Sequence, residues 1–277
     1  MTTFQKIIKY LAIAFAIFLI VSIIGGILTG LAGISFLTSR KDSEIVGEMQ
    51  NYPIEGEFDS LSVDLSFAKL VIKTADKFDI ESNHKYISVK SDNKKLRISE
   101  TKRLFSANPK GVTVILSLPE DLVFDEAVVD TGAGKVEIEA LSADILKLSL
   151  GAGESEIGML TANTRAKIDG GAGELKINGG RLCNLELDMG VGELTLKSRI
   201  EGNSELDYGV GETNLTLLGK REDYRIEIDK GIGEAKLAGE KMYDDSVYGS
   251  GENKIDIDGG IGEINIEFSE KGTVTKF

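Results

Sequence analysis

The chain carries one cysteine, one histidine, three prolines and no tryptophan in 277 residues. A lone thiol, Cys183, excludes an intrachain disulfide, so any part outside the cell must be held together without one. Cys183 and His84 together cannot supply the ligands of an ordinary structural zinc site. One imidazole leaves no spare base for a serine or cysteine nucleophile, and His84 sits in a basic stretch that reads as an exposed turn. There is no Gly-x-Ser-x-Gly elbow, no P-loop and no His-Glu-x-x-His pair. Helical periodicity is missing after residue 40, and the common enzyme signatures are missing with it. No catalytic, cofactor or metal-binding set is assigned.

What is present is glycine, acid and one long apolar segment. The net charge is −13, and it is unevenly spread. From Glu81 to Lys110 eight basic residues face three acidic ones, a local excess of +5, whereas from Gly111 onward 17 basic residues face 33 acidic ones, a net −16. Such an acidic body repels nucleic acid, which is excluded as a partner. The basic stretch is either a solvated set of strand faces or a contact for lipid headgroups or anionic wall polymers.

Residues 1–6 form a short tail and residues 7–37 an apolar segment, with Lys6 and Lys9 at its leading edge and no charge beyond Lys9. It exceeds the roughly 20 residues that span a bilayer and predicts one transmembrane helix. A cleaved signal peptide, with Gly30-Leu31-Ala32 as its small-x-small triplet, is the competing reading, but the run is longer than a signal core. The expected location is the bacterial cell membrane, single-pass, with the C-terminal domain outside. Ser22, Gly26 and Gly30 lie four apart and would allow a close helix contact and a homodimer. Residues 38–57 read as a polar linker.

From Phe58 the pattern is short alternating runs, among them Leu61–Leu65, Leu70–Ile72 and Val112–Leu116, separated by polar turns. Residues 58–128 are expected to form degenerate β coils and residues 129–277 regular ones. The regular unit is apolar-Asp-x-Gly-(Ala/Val/Ile)-Gly-Glu-x-x-apolar, as in Leu187–Leu196. Its glycine pairs are Gly132 and Gly134, Gly151 and Gly153, Gly171 and Gly173, Gly190 and Gly192, Gly209 and Gly211, Gly231 and Gly233, Gly260 and Gly262. The period is about 20 residues and marks a single-stranded parallel β-solenoid. Leu185, Leu187 and Val191 share one parity and Leu194 and Leu196 the other, so the chain must turn at Gly192-Glu193 to keep both sets inside. A second, polar turn is expected over Lys197–Asn203. Val63–Ile72 aligns without a gap on Val129–Ile138 and reads as an atypical capping copy.

Stacking would align Asp130, Asp169, Asp188, Asp207, Asp229 and Asp258, with Ser149 in the second copy. It would likewise align Glu154, Glu174, Glu193, Glu212, Glu234 and Glu263, with Lys135 at the first rung. Like charges about 4.8 Å apart cost roughly 1 kcal/mol a pair even in water. Either backbone N–H groups at the corner offset that, or Ca²⁺ does, with Asp188, Glu193, Asp207 and Glu212 as candidate ligands. An insertion near residues 241–251 breaks the period. Its Tyr243, Asp244, Asp245 and Tyr248 form a candidate binding loop.

The Asp-x-Gly-(Ala/Val/Ile)-Gly-Glu units, Leu116-Ser117-Leu118-Pro119 and the N-terminal helix resemble the bacterial putative-adhesin family of β-strand-repeat proteins, over roughly Phe58 to Phe268. The resemblance implies a single-span envelope protein with a β-solenoid ectodomain and no assigned catalytic residues. The expectation is a non-enzymatic, membrane-anchored adhesin-like or scaffold module, contacting other envelope proteins or wall polymers. An envelope sensory or regulatory protein is the alternative, and a Ca²⁺-binding solenoid or a polysaccharide-active enzyme stands further off.

Overall fold

The computed structural model describes residues 45–101 and 111–270. The expected tail, the apolar segment 7–37 and Ser22, Gly26 and Gly30 lie outside the described residues. Among the described residues no helix is long and apolar enough to cross a membrane. Strand dominates, and a 3₁₀ turn at Arg221–Asp223 interrupts it.

The N-terminal part contains β1 (Val46–Asn51), β2 (Ser60–Ala75), β3 (Asp79–His84), β4 (Ile87–Asp92), β5 (Lys95–Glu100) and β6 (Thr113–Pro119). β1 falls within the stretch read as a linker; it pairs with β3 and so belongs to the sheet. The regular copies follow as β7 (Phe124–Asp169), β8 (Ala172–Ile177), β9 (Gly180–Cys183), β10 (Leu185–Glu201) and β11 (Asn203–Leu218). The C-terminal part adds β12 (Tyr224–Asp229), β13 (Ile232–Leu237), β14 (Glu240–Lys241), β15 (Ser246–Tyr248) and β16 (Asn253–Ser269).

Equivalent residues of successive copies lie side by side in parallel register. Leu187 is beside Leu206, Asp188 beside Asp207, Gly192 beside Gly211 and Glu193 beside Glu212. The gapless alignment of the degenerate copy is a physical pairing, with Val63 beside Val129 and Ile72 beside Ile138. Leucine and isoleucine on the inward parity fill one continuous core from Phe58 to Ile266. Burial of each such side chain stabilises by roughly 1.5–3 kcal/mol.

The parity at the corner differs from expectation. Met189, not Val191, is the last inward residue before the corner, and Val191 is half exposed. The second turn is also shorter than expected. Ser198 and Ile200 are buried within β10, and Arg199–Glu201 pairs with Arg181–Cys183, which leaves the turn to Gly202.

The order of the coils is the largest departure. Coil 253–269 stacks directly on coil 203–218, and coil 224–237 stacks on the far side of coil 253–269. The same exchange occurs at the other end, where β5 and β6 flank β2 on the side away from β7. At each end the spatially last coil is therefore the second one from that end in sequence. Antiparallel strands then cover it: β4 on β5 and β3 on β6 at one end, β15 on β12 and β14 on β13 at the other. A parallel solenoid exposes a full row of unpaired N–H and C=O groups at each end, and such covers protect them.

His84 is 2% exposed, not a surface turn residue. Its Nδ1 accepts the Tyr86 N–H at 3.0 Å, and its Nε2 lies 3.3 Å from Glu100 Oε1. Burial pushes the Glu100 carboxyl up, but hydrogen bonds from His84 and Ser66 and the nearby imidazole outweigh it, and the net shift is downward. A lowered folded value means that the carboxylate stabilises the fold above the ordinary 4.5 and loses this as pH falls below it. Glu100→Gln is expected to cost about 2 kcal/mol at pH 7. It should also flatten the stability loss below pH ~4.5. An unchanged acid limb in urea melts against pH would refute this role.

Candidate interaction surface

Each regular coil turns through four residues, and in the 185–201 coil these are Gly190, Val191, Gly192 and Glu193. The second glycine of every pair has φ between +133° and +155°, a region that side chains rarely enter. At Gly192 a Cβ would also press into the carbonyl oxygen of Gly173 in the neighbouring coil. The corner is thus fixed twice, by its dihedral and by close stacking. The first glycines behave differently: only Gly171 and Gly231 take positive φ. Those two N–H groups donate to Asp169 Oδ1 at 3.1 Å and Asp229 Oδ1 at 3.2 Å. Backbone N–H donation to the Asp row is realised at these two corners.

The residue between the glycines points out along the corner, so the copies build a ridge. Val191 lies beside Val210, Val210 beside Ile261 and Ile261 beside Ile232, which is 47% exposed. Carboxylate rows flank it. On one side Asp169, Asp188, Asp207, Asp258 and Asp229 stand in adjacent register, in that spatial order. On the other side stand Glu154, Glu174, Glu193, Glu212, Glu263 and Glu234. Asp188, Asp207 and Asp258 line an open groove of 630 Å³ floored by glycine backbone. Burial pushes the Asp207 carboxyl up, and the charges of Asp188, Glu205 and Asp258 push it further. Lys135 enters the Glu row as expected, 3.7 Å from Glu154 and 3.4 Å from Glu137.

Inward at the same corner, Tyr208 donates its hydroxyl to the Gly192 carbonyl at 2.6 Å, and burial pushes the phenol up to about 12. The position before the first glycine is buried in the copies from Thr131 to Tyr208, and only part-buried at Lys230 and Gly259. Among its occupants are Thr131, Leu150, Met189 and Tyr208, too varied in chemistry to read as a column.

The candidate calcium ligands are not brought to one point. Asp188 and Glu193 stand in separate rows on the two flanks of the ridge, as do Asp207 and Glu212, and Glu212 accepts from Asn214 Nδ2 at 2.8 Å. Among the described residues no three His, Cys, Asp or Glu side chains converge on a point that would hold a metal ion. Millimolar Ca²⁺ is expected to leave the melting temperature unchanged, and an upward shift of several degrees would restore the metal reading.

The segment at 241–251 is the return path from the outer coil to coil 253–269. Met242 is fully buried, Asp244 Oδ1 accepts the Lys230 N–H at 3.0 Å, and Tyr248 Oη accepts the Tyr243 N–H at 2.7 Å. Tyr243 itself is 68% exposed, and Asp245 is exposed with φ +52°.

The architecture is that of an all-β, solenoid-like stack of parallel coils whose motif builds corners. The chain belongs to the Toastrack DUF4097 family, whose model matches residues 38–267. A search of curated proteins finds no match. Among solved structures it is similar to "a putative cell adhesion protein" from Clostridium sporogenes, at 19% identity over 80% of this chain and 99% of that one, with a TM-score of 0.38. It is similar to "a putative adhesin" from Bacteroides fragilis, at 13% identity over 79% and 95%, TM-score 0.32. A "putative lipid binding protein" from Parabacteroides distasonis matches at 13% identity over 78% and 96%, TM-score 0.40.

Proposed function

We infer that the protein is a non-enzymatic interaction module of the bacterial cell envelope, tethered by a single membrane span at residues 7–37 with its solenoid outside. The observation that carries this reading is the corner ridge. It repeats one apolar group between two carboxylates at each regular rung from Asp169 onward. A periodic surface multiplies weak, identical contacts along an extended partner. Catalysis needs unlike groups gathered at one point, and the motif distributes like groups along a line.

The tether is tested by protease treatment of intact cells. The domain should be digested from outside, and a wholly protected domain would overturn the orientation. The ridge is tested by co-sedimenting the full chain, in detergent, with isolated cell walls. Val191→Ser combined with Val210→Ser and Ile261→Ser is expected to lower retention about tenfold while leaving the melt nearly unchanged, since these side chains are part-exposed. Equal retention of both proteins would remove the ridge as the contact.

A further inference from the structure

Charge changes sign along one outward column of the stack. Lys90 of β4 lies directly opposite Arg97 of β5, and Arg97 is followed by Ser62 and Val128. Further along, Lys167 stands beside Glu186, and then come Glu205, Asp256 and Glu227. Like charges directly opposite on antiparallel strands repel. Lys94 in the turn has Asp59 at 3.7 Å, but Lys90 and Arg97 have no carboxylate within ion-pair distance among the described residues. The exchange of end coils is what makes this hairpin outermost on its face: β5 lies beyond β2, and β4 beyond β5. The column is therefore basic or neutral from the end where the chain enters as far as Lys167 and acidic from Glu186 to the far end, and the chain from Gly111 onward carries a net −16.

That polarity bears on the tether. The apolar run ends at Leu37 and the described chain begins at Ile45. The seven intervening residues reach at most roughly 25 Å. On the tether reading this length lets the hairpin reach the bilayer surface, where surface charge acts over roughly 8 Å at physiological salt.

We propose that the β4–β5 hairpin rests on anionic lipid headgroups through Lys90 and Arg97, and that repulsion of the acidic coils holds the solenoid upright from the membrane. This rests on the tether reading above, so the test separates the two. The full chain carries Cys183→Ser and a fluorescent donor at Ser91→Cys on β4, or at Ser250→Cys near the opposite end. It is mixed with vesicles of phosphatidylcholine alone, or with about 30% phosphatidylglycerol, containing a headgroup acceptor dye. Energy transfer from residue 91 should rise about twofold with the anionic lipid, should fall back at about 0.5 M KCl, and should not rise at residue 250. Lys90→Glu with Arg97→Glu should abolish the rise.

Flotation with both vesicle types and no rise at residue 91 overturns the docking and leaves the tether standing. Flotation with the anionic vesicles alone supports the docking and overturns the tether. Flotation with neither overturns both. An equal rise at residue 250 overturns the upright geometry, because the solenoid would then be lying flat.

Discussion

Gly192→Val is expected to lower the melting temperature by about 10 °C or to prevent folding. Two costs add at this position. The backbone sits at φ +140°, where a β-branched residue is a true outlier costing on the order of 1–3 kcal/mol. The new Cβ meets the Gly173 carbonyl oxygen in the preceding coil, and that oxygen belongs to the stacked backbone. Relief would require the coils to separate, which breaks ladder hydrogen bonds on both sides of the corner. A combined cost near 4 kcal/mol corresponds to about 10 °C for a domain of this size. Gly239→Ala isolates the dihedral term, since Gly239 also has positive φ, at +79°, but nothing lies within 4 Å of an added Cβ. Gly239→Ala should cost only about 1 kcal/mol, so similar melts for the two variants would refute the stacking argument.

The difference between those glycines marks what was legible in the chain. A motif repeated with alternating parity determines register, because a slip by one residue would turn every core side chain outward. Val63 beside Val129 and Asp188 beside Asp207 follow from that rule alone. The parity flip places the corner, but Val191, being apolar, reads from sequence as a core residue. In the structure Met189 takes that place: the turn starts at Gly190, two residues before Gly192, and carries Val191 onto the ridge. The burial of His84 is hidden from the sequence for a related reason. Its neighbours Lys85 and Lys90 are solvated, and the approach of Glu100 from β5 to Nε2, together with the Tyr86 N–H on Nδ1, makes a buried imidazole tolerable. The surface followed more closely than the core did: once register was set, the carboxylate rows were determined, although their spatial order was not. Coil order is invisible to periodicity, since every copy offers its neighbours the same two edges.

Coil order can be tested by cross-linking, with an all-or-none outcome. Asn214 lies beside Asn265, and their amides hydrogen-bond at 3.2 Å; Asn265 in turn lies beside Lys236. In-register neighbours sit about 5 Å apart, within disulfide reach, whereas residues two rungs apart are separated by about 10 Å. In a Cys183→Ser background, Asn214→Cys with Asn265→Cys should oxidise to a single intramolecular disulfide. Asn214→Cys with Lys236→Cys should not. Stacking in sequence order would reverse both results. Local chemistry accounts for the exchanged order. The chain leaves β11 through Gly219, at φ +134°, and the 3₁₀ turn, which supply the extra length needed to skip a rung. The coil that fills the gap, β16, is an unbroken 17-residue strand whose Ile255, Ile257, Ile264 and Ile266 all point inward, and it is flanked by a coil on each side. The coil left outside is two six-residue strands that bury Tyr224, Ile226, Ile228, Ala235 and Leu237, joined by Met242 from the return segment. The unbroken coil is sandwiched where both its edges are paired, and the coil interrupted between its two six-residue strands takes the end, where short antiparallel strands suffice as cover.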